Sequence, residues 1–199
     1  MNGSFFAMMQ RMRYINRWGL MRNTQSENIQ EHSLEVAMIA HALAVIRRQR
    51  FPERTPDVDP DRVVAYAVYH DATEILTGDL PTPVKYHNES IRNAYGQVEK
   101  VAADTLLGML PEDMRATYRA LLTPDRSDPV VLEIMKLVKA ADRIAAYVKC
   151  LEEEKAGNRE FQEAQKTIRA SIDALDLPEV AWFVDQFIPA YSLTLDQLK

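Results

Sequence analysis

The sequence predicts an all-α helical bundle, and three observations carry that prediction. Apolar residues recur at three- and four-residue steps along most of the chain. Alternating β-branched runs of the kind that make strands are few. Glycine, which weakens helices and marks turns, occurs only six times. With 199 residues the chain is long enough for one well-buried domain. No proline/glycine-rich or low-complexity linker divides it and no internal repeat is visible, so a single domain over residues 1–199 is expected.

Helical patterns run over roughly 4–14, 28–48, 61–77, 88–109, 111–122, 129–156, 159–175 and 178–190. The second starts near Asn28, with Ser26 as its expected N-cap. It is apolar on nearly every side (Leu34, Val36, Met38, Ile39, Leu43, Val45, Ile46), with alanines 37, 40, 42 and 44 permitting close contact, so it is central. The third starts near Asp61 with the run Val63 to Tyr69 and continues to Gly78, a C′ residue. The segment 129–156 is the clearest amphipathic helix: Ile134, Leu137, Val138, Ala141, Ile144, Ala145 and Val148 form its stripe, while Lys136, Lys139 and Arg143 face outward. Trp182, Phe183 and Phe187 make the C-terminal helix apolar enough to serve a dimer face.

The net charge of −5 disfavours a nucleic-acid polymer as partner and leaves a small ligand held by one or two local cations. Cys150 is the sole cysteine, flanked by Val148 and Leu151, and reads as a packing residue. The absence of a disulfide framework, a signal-peptide core and an apolar run near 18 residues predicts a cytoplasmic protein with no membrane partner.

The chemistry concentrates in His70-Asp71, with His32 upstream, Asp142 downstream and Glu74 one turn on. On a helix, neighbours stand ~100° apart, so His70 and Asp71 can approach one ion from two directions. Glu74, at i+3 from Asp71 and i+4 from His70, shares their face; two carboxylates so placed repel unless a cation or proton lies between them. A lone His-Asp doublet is usually an accident of surface or core, and Asp142 alone would read as a surface pair with Lys139. The apolar run before His70 implies burial, and buried polar groups need partners. Two imidazoles and two carboxylates can hold one divalent metal and leave positions open for water or substrate, which points to hydrolysis. Of the other histidines, His41 reads as a hydrogen-bonded packing residue and His87 as surface.

The order His…His-Asp…Asp on helices resembles the HD-domain metal-dependent phosphohydrolases. Within that superfamily the chain looks like the bacterial 5′-deoxynucleotidases. The resembling stretches are Ile15-Asn16-Arg17-Trp18 with Leu20-Met21-Arg22-Asn23, Glu31-His32-Ser33, Tyr69 through Tyr86, and Lys139 through Asn158, spanning nearly the whole chain. The resemblance implies an HD-domain bundle with a buried mononuclear site whose metal ligands are His32, His70, Asp71 and Asp142. It implies a catalytic role for Glu74 and substrate contacts at Arg17, Trp18 and the loop Asp79, Leu80, Pro81 and Thr82. The reaction implied is hydrolysis of deoxyribonucleoside 5′-monophosphates to deoxyribonucleosides and phosphate, with broad base tolerance. A homodimer is implied as well.

The residues themselves fit those roles. The ligand set suits Co²⁺, Mn²⁺ or a similar transition ion better than Ca²⁺, and no further histidines are spaced for a second ion. Glu74 and Asp79 are the candidates for proton transfer, either one activating water or protonating the leaving alkoxide. Asp79 follows Gly78 in a segment stiffened by Pro81 and Pro83. Arg17 is the expected phosphate holder, because its planar fork pairs with a dianion. Trp18 beside it can cover a base or wall off the sugar, and Lys85 is a weaker candidate in the same loop. The rival readings are an HD hydrolase of a nucleoside triphosphate, cyclic nucleotide or alarmone, and a non-enzymatic nucleotide-binding regulator.

Overall fold

The computed structural model describes residues 3–85 and 87–198; Tyr86 and the side chain of Thr82, both within the resembling stretches, lie outside what is described. The all-α expectation holds. Ten helices follow in order among the described residues: α1 (Phe5–Met9), α2 (Ile29–Arg50), α3 (Pro60–Tyr69), α4 (Glu74–Thr77), α5 (Thr82–Lys85), α6 (Glu89–Gly108), α7 (Glu112–Leu122), α8 (Pro129–Lys155), α9 (Gln162–Asp173) and α10 (Pro178–Phe187). Short 3-10 segments follow α1 and α10. Extended pairing among the described residues is limited to one isolated bridge, Asn16 with Asn28.

The central helix is α2, which packs on α3, α8 and α10. Val36, Ala40, Leu43 and Ala44 from α2 meet Ile134, Leu137, Ala141 and Ile144 from α8, all with no measurable exposure. The alanines let the two axes approach, and the β-branched and leucine side chains fill the seam. A smaller cluster of Phe5, Leu106, Leu107 and Leu110 seats α1 on α6. No helix among the described residues is long and apolar enough to cross a membrane.

Local sequence sets the helix starts. Asn28, not Ser26, caps α2: its side chain accepts from the Gln30 and Glu31 amides at 3.0 Å each, and Glu31 returns the bond. Ser26 lies two residues too early because the chain is still extended at Asn28 (φ −112°, ψ 163°). Asp59-Pro60 and Asp128-Pro129 start α3 and α8 in the same way, with an aspartate cap and a proline in the first turn.

Three further expectations change. The predicted helix 61–77 is broken: α3 ends at Tyr69, and residues 70–73 form a turn before α4. His41 is not a packing residue, since its side chain is 45% exposed and stands 3.9 Å from Asp61, too far to hydrogen-bond. Of the three C-terminal aromatics, Phe183 is buried in the core and Trp182 lies under the Arg50 guanidinium at 4.0 Å, leaving only Phe187 exposed.

Candidate metal centre and substrate strap

Three elements bring the predicted ligands together. The central position of α2 buries His32 completely, α8 presents Asp142, and the α3–α4 turn supplies His70 and Asp71. One ligand atom each from His32, His70 and Asp142 lies within 4.8 Å of the others, a grouping that could hold a metal ion. Asp142 Oδ1 stands 3.2 Å from His32 Nε2. Asp71 falls outside that mutual grouping, although its Oδ2 is 3.1 Å from His70 Nε2 and 3.7 Å from His32 Nε2. The same oxygen also faces Arg17 Nη1 at 3.5 Å.

The turn explains how adjacent residues can converge. Ala72, Glu74, Ile75 and Leu76 donate their amides to the carbonyls three residues back, so the backbone winds more tightly than an α-helix. In that winding side chains at i and i+3 eclipse, which sets Glu74 over Asp71. Glu74 is 7% exposed, and its carboxyl is pushed up to about 9, by burial first and then by the Asp71 and Asp79 charges. Burial and the two like charges thus favour its neutral form. Asp79 is raised too, mainly by burial.

The histidines are oriented by their neighbours. His70 Nδ1 is 2.7 Å from the Ala67 carbonyl, which turns Nε2 toward Asp71. Burial opposes protonation of His70, yet Asp71 outweighs it and carries the ring to about 9. Burial would likewise raise Asp142, but His32 and Lys139 hold it well below the usual carboxylate range. Both ring nitrogens of His32, together with His70 Nε2 and Glu74 Oε2, are buried without a hydrogen bond. Buried polar atoms in that state need partners. Imidazole nitrogens beside carboxylates are the donor set of a divalent transition ion. The residues present fit a metal.

Arg17 and Trp18 lie on a strap, residues 15–28, that arches between the 3-10 turn Gln10–Tyr14 and α2. Its neck is closed by Arg17 N to Glu27 O (2.9 Å) and Ile29 N to Ile15 O (3.0 Å). Trp18 has φ 60°, a left-handed backbone that costs a side-chain-bearing residue roughly 1–2 kcal/mol. Its amide donates to Asp79 Oδ2 at 3.3 Å, and its ring meets Phe161 edge-on at 5.3 Å. Leu80 and Pro81 follow Asp79 half-buried. Gly78, at φ 74°, ends α4 and releases this segment. Lys85 is held on Glu99 at 2.8 Å.

Sequence reasoning missed Glu27. Its Oε2 accepts from Trp18 Nε1 at 2.8 Å and Arg17 Nε at 3.1 Å, while Oε1 stands 3.7 Å from His32 Nδ1. It thus links two of the predicted substrate contacts, Arg17 and Trp18, to a predicted ligand. No periodic signal marks a loop glutamate of this kind.

A helical bundle that gathers His32, His70 and Asp142, with Asp71 beside them, has the architecture of the HD-domain phosphohydrolases. It superposes on a solved HD-domain phosphohydrolase from Listeria innocua with a TM-score of 0.79 at 22% identity, covering 94% of this chain and 88% of that one. A second neighbour is the cyanophage S-2L HD phosphohydrolase, solved with dA and one catalytic Zn²⁺; the TM-score is 0.62 at 21% identity, over 94% and 96% of the two chains. More specifically, the chain belongs to the YfbR-like 5′-deoxynucleotidase family, whose sequence model matches residues 4–191. Among its relatives, the 5′-deoxynucleotidase of Erwinia tasmaniensis is 46% identical and that of Shewanella oneidensis 45%, each match covering 98% of this chain and 96% of the relative.

Proposed function

We propose that this protein hydrolyses deoxyribonucleoside 5′-monophosphates to deoxyribonucleosides and phosphate, using one divalent metal and tolerating all common bases. The observation that carries this reading is the near full-length identity to proteins named 5′-deoxynucleotidases. The ligands assigned are His32, His70, Asp71 and Asp142, and the ion is Co²⁺, Mn²⁺ or a similar transition metal. When bound there, such an ion polarises a phosphoryl oxygen and makes a bound water acidic enough to act as nucleophile near neutral pH.

The chain's own groups do the rest. Arg17 holds the phosphate dianion. Its Nε is oriented by Glu27 and its Nη1 faces Asp71, which together fix the plane of the fork offered to a phosphate oxygen. Glu74 holds a proton and gives it to the 5′ oxygen as the ester bond breaks. Asp79, tied to the Trp18 amide, sets the strap against the α4–α5 segment and is the second candidate for proton transfer. Leu80, Pro81 and Thr82 border the substrate. Trp18, stiffened at φ 60° and braced by Glu27, walls off the sugar so that a 2′-hydroxyl would be crowded or left without a partner. We further assign the protein as a homodimer.

The test is a panel of deoxy- and ribonucleoside mono-, di- and triphosphates, cyclic nucleotides and alarmones, with released phosphate or product measured with and without Co²⁺ or Mn²⁺. Release confined to deoxynucleoside monophosphates is the expected result. Preference for a triphosphate or cyclic substrate, or no turnover at all, would replace this reading.

A further inference from the structure

Beyond the centre itself, the structure holds a second polar cluster with no part in the chemistry. Glu153, 1% exposed, lies near the C-terminal end of α8 beneath the strap. Its carboxylate accepts from the Thr24 amide (3.0 Å), the Thr24 hydroxyl (2.8 Å), the Gln25 amide (3.4 Å) and Asn158 Nδ2 (2.7 Å). Lys149, one turn earlier and 5% exposed, pairs with Glu153 at 2.5 Å and donates to the Gln25 carbonyl at 2.7 Å. Asn158 also donates to the Arg22 carbonyl at 2.7 Å. Every one of these bonds, apart from those among Lys149, Glu153 and Asn158, ends on the strap that bears Arg17 and Trp18.

Taking the nucleotidase reading as its basis, we infer that Lys149, Glu153 and Asn158 form a latch that positions Arg17 and Trp18 for substrate, and so help to set the preference for a deoxy sugar. Thr24 and Gln25 are themselves exposed, so no apolar packing holds the far end of the strap at these two residues. Trp18 needs external hold, because its left-handed backbone is unfavourable for a bulky residue. The latch supplies that hold from one side and the closed neck from the other. Phe161 extends the arrangement: its ring meets Trp18 edge-on and lies 5.7 Å from the Lys149 ammonium. The same helix carries Asp142 two turns before Lys149. A single rigid element therefore references the strap to the centre. These are positioning residues, since none of them is among the groups assigned to metal or phosphate.

The test compares wild type with Thr24→Val, Asn158→Ala and Glu153→Gln, each as the metal-loaded full chain. Thr24→Val and Asn158→Ala guard against the case in which the buried Glu153→Gln variant fails to fold. Amide hydrogen exchange over residues 19–26 should quicken about tenfold or more, with α2 and the first half of α8 unchanged. KM for dAMP should rise about tenfold while kcat stays within about threefold, the dAMP-to-AMP ratio of kcat/KM should narrow, and metal content should hold. Faster exchange with an unmoved KM and ratio would overturn the latch, leaving only loop anchorage. Loss of metal together with kcat would also overturn it, placing the effect at Asp142. A wild type inactive on every deoxynucleotide would sink the nucleotidase reading and the latch with it, whereas an active wild type with insensitive variants sinks the latch alone.

Discussion

Trp18 Nε1 donates to Glu27 Oε2 at 2.8 Å, and the indole is thereby tied to a carboxylate that also holds the neighbouring guanidinium. Sugar wall and phosphate holder are thus coupled through one residue. Removing it frees two side chains at once. Glu27→Ala should lower kcat/KM on dAMP by about 10²-fold, as expected when two hydrogen bonds to one carboxylate are both lost. Steady-state kinetics with intact metal content decides it; a change under threefold would show that Arg17 and Trp18 keep their places unaided.

Metal dependence follows from the buried, unbonded imidazole nitrogens. Chelation should abolish phosphate release and Co²⁺ or Mn²⁺ should restore it. Asp71→Ala should lose metal, by elemental analysis, and activity together, with the helical circular dichroism retained. Full activity in a verified metal-free sample is the contrary result.

Glu74 is buried and feels the Asp71 charge, but it is not among the assigned ligands. Glu74→Gln should therefore keep metal close to the wild-type level and slow turnover by about 10²-fold or more, as loss of an acid/base group does. Metal loss in that variant would make Glu74 a ligand or its support.

Substrate choice separates the strap's two side chains. A buried hydroxyl without a partner costs ~1–3 kcal/mol, or roughly tenfold to a hundredfold in discrimination. Trp18→Ala should narrow the dAMP-to-AMP ratio by that order, whereas Arg17→Ala should depress both substrates together. An unchanged ratio in Trp18→Ala would move the discrimination to the Asp79–Thr82 segment.

The Lys149–Glu153 pair adds an acid-dependent component to stability. Burial opposes the ionised form of Glu153, but Lys149, Asn158 and Thr24 outweigh it and bring its carboxyl from an ordinary 4.5 to about 2. A folded-state value below the unfolded one means that this contribution is fully present above pH about 4.5 and fades as pH falls toward 2. Urea midpoints measured from pH 6 down to pH 3 should fall less steeply for Glu153→Gln than for wild type. Parallel slopes would remove the pair from the acid response.

Much of this was legible in the sequence where periodicity carries the information. The stripe Ile134-Leu137-Ala141-Ile144 predicted α8 and its buried face, and the all-round apolar character of 28–48 predicted that α2 is central. His32, His70 and Asp142, which the structure brings together, stand out because they interrupt or border apolar runs. What the sequence hid is tertiary. Ideal α-periodicity carried the third helix through 70–73, where bonds to the carbonyl three residues back take over. Glu27 and Glu153 passed unnoticed, because their partners are ten and 129 residues away or fall in a loop without pattern. Ser26 and Asn28 are equally good caps by type, and only the extended backbone at Asn28 separates them.

Helix α8 also constrains how this protein can vary. Inserting a single residue between Asp142 and Lys149 would turn everything downstream by ~100° and advance it by ~1.5 Å. Lys149 and Glu153 would then swing away from Thr24 and Gln25 even though no side chain had been replaced. The interval thus works as a ruler, and length changes should be accepted in the exposed turn 125–127 ahead of the Asp128 cap but not within those two turns. The exposed face of α8 is free to change in composition, provided that its buried stripe and the count of residues between Asp142 and Lys149 are kept.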